Sequence, residues 1–226
     1  MKTITKEEIL QNNKKIFYDI RLEKSDLKYE NLENKKFIYC DLSGVNFERA
    51  NLKNISLENS NLEGVNFKNA NLENANLKSA SLRNANLKNA NLKGAYFYGA
   101  VLEKANLKNI ITNEQTKWLK LFPKEKGAFL AYKKCLDDRL VTLLIPKEAK
   151  RTSATMQCCR TNKAKVLKIT DFLEIESYNE AWSFVDENFC YKVGEWVEVK
   201  NFNEDRWFDS TTGIHFWLTK EDAIKY

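Results

Sequence analysis

The sequence predicts a mainly β chain in two parts, a four-sided coiled column followed by a small α+β domain. Three observations predict it. From Leu22 to Leu107 every fifth residue is Leu or Phe, eighteen times in succession, and no Leu or Phe in that span falls out of phase. Small or β-branched residues such as Val45, Ala70 and Ala90 recur two positions earlier, Asn one position earlier, and Asn or Gly two positions later. Past residue 123 Asn becomes sparse and aromatic residues become dense.

A five-residue step fits neither regular element. It advances about 140° around an α-helix and would smear the apolar set over every face. In a flat strand an odd step flips each successive side chain. A coil that turns a corner at every pentad keeps all of them inside. Four such sides make a coil of four pentads, which stacks Leu22, Leu42, Leu62, Leu82 and Leu102 in one inner column and Leu32, Leu52, Leu72 and Leu92 in another. Outside, Asn46, Asn66, Asn86 and Asn106 fall in line, as do Asn31, Asn51, Asn71 and Asn91. Such ladders hydrogen-bond between layers. Asn and Gly after the inner residue suit the corners. Layers about 4.8 Å apart give a column roughly 20 Å tall.

The flanks need caps, because an open coil exposes its ends. Thr5 followed by Glu8 has the spacing of a capping box and predicts an N-terminal capping helix over residues 5–19, with Ile9, Ile16, Phe17 and Ile20 toward the column. A helical stretch is expected over 114–121, before Pro123. The expected division is residues 1–19 cap, 20–111 column, 112–123 helical linker or cap, and 124–226 second domain. In that domain the pattern predicts strands over 140–145, 165–169, 188–193, 196–199 and 214–218. Helices are expected over 128–136 and 221–226, the latter capped by Thr219.

Composition bounds the function. No apolar run is long enough for a membrane span, and residues 1–15 are polar, so a cytoplasmic protein without membrane contact is expected. Five Cys with no C-x-x-C spacing read as free thiols. The whole chain carries a net charge of +6. From residue 20 to 111 there are 14 Lys and Arg against 10 Asp and Glu, a net of +4. Charges partly alternate up the faces, as in Glu33, Lys53, Glu73, Lys93 and Glu63, Arg83, Glu103, so the basic residues read as interleaved with acidic ones rather than as a nucleic-acid stripe.

The units Ala70-Asn71-Leu72-Glu73-Asn74, Ala85-Asn86-Leu87-Lys88-Asn89 and Ala90-Asn91-Leu92-Lys93-Gly94 resemble the pentapeptide repeat family over about residues 20–111. The resemblance implies a right-handed quadrilateral β-helix. It also implies that topoisomerase modulation by DNA mimicry must be weighed, since some members of the family occupy the DNA site of type II topoisomerases. That mimicry needs an acidic rod, and this column is basic. Leu143-Leu144-Ile145-Pro146-Lys147, Cys159-Arg160, Phe202-Asn203-Glu204-Asp205-Arg206-Trp207 and Gly213-Ile214-His215-Phe216 resemble an uncharacterised C-terminal domain that follows pentapeptide repeats in bacterial and phage proteins. That family leads us to expect Cys where this chain has Ser210, which argues against an obligatory metal or redox role there.

Five constellations are candidates for chemistry or contact. Lys150, Arg151, Ser153, Arg160 and Lys163 form a basic stretch suited to an anion or an acidic partner. Tyr96 and Tyr98 are outward aromatics suited to an interdomain or partner surface. Cys158, Cys159, Cys190 and His215 contain zinc-ligand types, but adjacent cysteines chelate one ion poorly and no metal is expected. His215, the one histidine, would have to serve any Cys–His nucleophile pair. Gly213-Ile214-His215-Phe216 is also loosely similar to an element of ADP-ribosyl-transferring folds, which leaves a nucleotide-binding second domain as an alternative. The sequence reading is a non-enzymatic protein-interaction scaffold without catalytic residues or cofactor. It would act on an unidentified protein partner, as a phage or mobile-element regulator of a host protein, with a homodimer left open.

Overall fold

The computed structural model describes all residues except 12–14, 23, 122, 124, 125, 187, 209 and 210. The chain divides into two compact units, Met1–Lys120 and Leu121–Tyr226. It is mainly β, and the helices among the described residues are two short ones.

In the first unit the five-residue step does wind the chain into coils of four pentads. Parallel bridges join Asp26 to Asn46, Asn46 to Asn66, Asn66 to Asn86 and Asn86 to Asn106. The same step joins Arg21, Asp41, Asn61, Ser81 and Val101 on a second side, Asn31, Asn51, Asn71, Asn91 and Ile111 on a third, and Lys36, Ser56, Asn76 and Tyr96 on the fourth. The inner column is shielded from solvent: Leu62 and Leu82 are fully buried and Leu102 is 1% exposed. Phe47 lies flat on Phe67, with centroids 5.4 Å apart and planes at 10°.

Two features of the pentad hold this geometry. The Oδ1 atom of Asn66 accepts from Asn86 Nδ2 one layer on (3.1 Å) and from the Lys68 N–H two positions along the chain (3.2 Å), so one side chain ties layers together and closes its own turn. The corner residues take left-handed backbone, with φ of +57° at Asn54, Asn74 and Asn84 and +71° at Gly94.

The N-terminal segment differs from expectation. The Thr5–Glu8 capping box is present in both directions, with Thr5 N to Glu8 Oε2 at 2.8 Å and Glu8 N to Thr5 Oγ1 at 3.3 Å. The helix it opens, α1 (Lys6–Gln11), is short. The expected helix over 5–19 is interrupted because Phe17 is one pentad before Leu22 and joins the coil instead. Strand β2 (Ile16–Tyr18) pairs in parallel with β4 (Lys36–Ile38), and Phe17 stacks on Phe37 at 4.9 Å. Strand β1 (Lys2–Ile4) pairs in parallel with β3 (Ile20–Leu22). Lys6 anchors α1 to the first coil through Asp26 O at 2.8 Å and Glu30 at 2.8 Å, and Ile9 is fully buried. Residues 12–14 of the expected helix lie outside the described residues.

The expected helix over 114–121 is likewise absent among the described residues. Lys117 instead bridges Tyr96 and adds another side to the coil. Asn113 and Thr116 are the cause. Thr116 N donates to Asn113 Oδ1 (3.2 Å) and Thr116 Oγ1 to Leu92 O (2.9 Å), bonds that offer the backbone an alternative to a helix.

The second unit is more β-rich than an α+β domain. Strands β5 (Phe129–Lys134), β6 (Leu140–Ile145), β9 (Lys163–Thr170) and β12 (Trp196–Glu198) form an antiparallel sheet in the order β12-β9-β6-β5. Strands β7 (Arg151–Ser153), β8 (Cys159–Thr161) and β13 (Ile214–Phe216) form a second, in the order β13-β8-β7. A bridge between Tyr132 and Trp217 links the two. Strands β10 (Glu180–Trp182) and β11 (Cys190–Lys192) pair separately. The helix expected over 128–136 is strand β5. Its alternation puts Phe129, Ala131 and Lys133 inside, and the inward lysine hides that alternation in the sequence. The turn from β5 to β6 uses left-handed Asp137 and Asp138. Helix α2 (Lys220–Lys225) is capped by Thr219 as expected, its Oγ1 accepting from Asp222 N at 3.2 Å.

Leu62→Ala should lower unfolding stability by about 2–5 kcal/mol in urea titrations, because the stacked column cannot close over the cavity. Gly64→Ala and Gly94→Ala should both lose about 1–2 kcal/mol to the left-handed backbone. Gly94→Ala should lose more, since an added Cβ would lie 2.1 Å from Asn74 Oδ1 while nothing lies within 4 Å at Gly64.

Candidate functional site

The four sides of the column carry different outward chemistry. On three sides the residue before each inner Leu or Phe is mostly Asn, Asp or Ser, tied into ladders such as Asn91 to Asn71 (2.9 Å) and Asn71 to Asn51 (3.3 Å). The fourth side, over Phe17, Phe37, Leu57, Leu77 and Phe97, breaks that pattern. Its outward residues include Ile16, Tyr18, Ile38, Tyr96 and Tyr98, with Tyr39 at its corner. Tyr18 packs edge-on against Tyr39 at 5.5 Å, and both are exposed. Tyr98 packs edge-on against Trp118 of the same unit at 5.0 Å, with Tyr96 beside it and half-buried. Between the two aromatic pairs the Glu58–Lys78 ion pair (2.9 Å) crosses the face. Tyr39 and Tyr98 are three layers apart, about 14 Å. Tyr29 is an outward aromatic elsewhere, at another corner under Arg49.

Charges pair up the column as the spacing suggests: Lys53–Glu73 at 3.0 Å and Arg83–Glu103 at 3.2 Å. The Lys53 ammonium holds the Glu73 carboxyl below its usual range. The interleaving fails on one side, where the outward column reads Lys28, Glu48, Lys68, Lys88, Lys108. Glu48 bridges Lys28 and Lys68 at 3.5 Å each. Lys88 and Lys108 have no carboxylate within ion-pair distance among the described residues. Periodicity alone contained this stripe, but only reading one side at a time exposes it.

In the second unit the expected basic site does not assemble as an anion cradle. Arg160 is buried and spends its guanidinium on main-chain carbonyls: Nη1 donates to Asn203 O (3.2 Å) and Thr212 O (3.1 Å), Nη2 to Asp205 O (3.1 Å) and Phe208 O (2.8 Å). Arg151 donates to the carbonyls of Gly127 (2.8 Å), Pro146 (3.0 Å) and Lys147 (2.9 Å) and lies over the Phe129 ring. Ser153 is buried. Lys150 pairs with Glu204, and Lys163 lies 3.9 Å from Glu198 and over Trp196. Arg206, which is not among the expected basic site residues, makes the same kind of clasp to Ser153 O (2.9 Å) and Ala154 O (3.2 Å). These arginines fasten loops. Carbonyl acceptors have no sequence signature, so a run of basic residues looks the same whether it faces an anion or a loop.

The cysteines separate in a way their adjacency conceals. Alternation along β8 sends Cys159 into the core, fully buried, and leaves the preceding Cys158 half-exposed on the opposite face. His215 pairs with Arg160 across β8 and β13, so it shares the face of Cys158. Its Nδ1 lies 3.4 Å from Cys158 Sγ and its Nε2 lies 3.2 Å from Thr211 O. Among the described residues no group of three or more His, Cys, Asp or Glu is placed to hold a metal. Ser210 lies outside the described residues.

The family model described as "Pentapeptide repeat region" matches residues 30–107. A crystal structure of a pentapeptide repeat protein, Rfr23 from the cyanobacterium Cyanothece 51142, is 30% identical, and the match covers 44% of this chain and 85% of that one, with a TM-score of 0.38. The chain belongs to the pentapeptide repeat family. A second model, described as "Family of unknown function (DUF5758)", matches residues 119–223 and takes in nearly all of the second unit. A pentapeptide repeat protein from the thylakoid lumen of Arabidopsis thaliana is 24% identical, with 39% of this chain and 61% of that one covered and a TM-score of 0.38. QnrB1, a plasmid-mediated fluoroquinolone resistance protein, is 13% identical, with 50% and 90% covered and a TM-score of 0.20. No curated protein matches. Among the described residues no helix is long and apolar enough to cross a membrane.

Removing the guanidinium of the buried Arg160 in Arg160→Ala should destabilise the protein by about 3 kcal/mol, since four main-chain carbonyls lose charged donors. Lys163→Ala should change stability by about 0.5 kcal/mol or less. Thermal melts of the two variants check the contrast; equal effects would return Arg160 to the surface cations.

Proposed function

We propose that this pentapeptide repeat column is a non-enzymatic protein-recognition scaffold whose contact face is its aromatic side. The observation that carries the reading is the concentration of outward aromatics on one side of four. The column itself needs none of them: two of the other sides stack through Asn ladders and the third joins Asn61 to Asp41, with mostly polar residues outside. Aromatic side chains half-exposed on a rigid support bury much area at little entropic cost, and they anchor protein contacts. The partner that fits is a protein presenting two apolar contacts about 14 Å apart, matching three layers of the column. Placement in the cytoplasm, and a role as a phage or mobile-element regulator of a host protein, belong to the same proposal.

Duplex mimicry fits the column poorly. A net charge of +4 from residue 20 to 111, with a stripe of Lys68, Lys88 and Lys108 on one side, is the wrong sign for a copy of a phosphate backbone. Purified protein should leave the supercoiling activity of gyrase unchanged, and inhibition at stoichiometric protein would overturn that part of the reading.

The contact face is tested by capture from extract of the native host with the immobilised full chain. Tyr18→Ala combined with Tyr39→Ala, and separately Tyr98→Ala, should weaken retention of the captured protein about tenfold or more. Lys88→Ala with Lys108→Ala on the opposite side should leave it unchanged. Retention that depends on the lysines and ignores the tyrosines would refute the assignment.

A further inference from the structure

The second unit holds a thiol–imidazole pair that the scaffold role does not use. We propose that Cys158 is a reactive thiol, activated by His215, that forms a mixed disulfide with low-molecular-weight disulfides of the glutathione type.

The geometry supports each part of this. Thr211 O can only accept a hydrogen bond, so His215 Nε2, 3.2 Å away, carries its proton. In the neutral ring Nδ1 is then an acceptor, and it lies 3.4 Å from Cys158 Sγ. This is the arrangement of a nucleophile, a base within reach of its proton, and a third group that fixes the base. Proton transfer from sulfur to Nδ1 leaves a thiolate beside an imidazolium, the setting that makes a thiol reactive.

The other four thiols are placed differently. Cys40, Cys135 and Cys159 are buried. Burial pushes the Cys135 thiol up to about 12 and raises Cys40 and Cys159 as well. Cys190 is half-exposed, but burial and then the Glu180 carboxylate, 4.0 Å from its sulfur, push its thiol up. A further positive charge lies near Cys158. Lys133 is 5% exposed; burial pulls its ammonium below the usual range, while Cys135 and Cys158 act to raise it. That coupling is mutual, so a thiolate at Cys158 gains from the ammonium.

In the proposed step the Cys158 thiolate attacks one sulfur of the disulfide. A bond forms between Cys158 Sγ and that sulfur, the original S–S bond breaks, and the second half leaves as a thiolate that takes up a proton from the His215 imidazolium or from water. The disulfide is the oxidant, and nothing further is consumed. Cys159 points into the core from the opposite face of β8, so it does not displace the adduct, and the mixed disulfide persists.

The test uses the full native chain and oxidised glutathione at neutral pH, followed by intact mass and peptide mapping. One adduct should form, at Cys158, at least about tenfold faster than at Cys190. In guanidinium that preference should vanish. His215→Gln should slow the native reaction about tenfold or more without lowering the melting temperature, and Cys158→Ser should abolish the fast adduct. Comparable native rates at Cys158 and Cys190 in the unaltered chain would overturn the proposal, even if the variants fold badly. So would a folded His215→Gln that reacts at the original rate.

Discussion

Every layer of the column depends on a side-chain amide doing two things at once. The Oδ1 of a laddered Asn accepts an N–H two positions along its own chain and an Nδ2–H from the adjacent layer. The first bond bends the backbone into the left-handed corner. The second fixes where the next corner must lie. Only then do the inner Leu and Phe meet their counterparts one full coil away, and only then do the bridges form with backbone groups satisfied on both sides. Hydrophobic burial supplies the driving force, but it is not directional. The amides give it an address.

The column is legible because each of its constraints leaves a residue type behind: large apolar inside, small beside it, Asn before, Asn or Gly at the corner. The same logic would reach Phe17, which is in phase, if its neighbours Ile16 and Ile20 did not also satisfy a helical face. Strand pairing with Lys36–Ile38 decides between the two. The stretch from 112 to 117 is opaque for a related reason. Asn113 and Thr116 bond their own backbone, and the step from Tyr96 to Lys117 is one position longer than the steps below it, so the phase is lost. In the second unit the strands whose apolar residues alternate are readable. Strand β5 is not, because a buried lysine stands at an inward position. The basic cluster is legible as basic and opaque as to purpose, because its acceptors are carbonyls drawn from loops distant in the chain.

Those carbonyl clasps set apart the two halves of the molecule. The column is held by repetition, and most of its hydrogen bonds recur from layer to layer. The second unit is held at a few nodes, where Arg151, Arg160 and Arg206 each gather several backbone oxygens. Arginine suits this because its fork of donors stays charged and planar, and lysine could satisfy fewer of the acceptors from one point. A half-exposed thiol beside a held imidazole survives in such a unit because the loop carrying Thr211 is fastened by Arg160 through Thr212 O.

The repetition also quantises the length of the column. Excising four consecutive pentads from the middle rejoins each ladder to its own continuation and yields a shorter tower of the same cross-section. Excising a single pentad removes one wall, rotates everything downstream by a quarter turn, and carries the tyrosines and the lysine stripe round to different neighbours while the buried leucines notice nothing. The surface is therefore far more sensitive to insertions and deletions than the interior. Lineages that gain or lose single pentads would keep their stability and exchange their compass bearings.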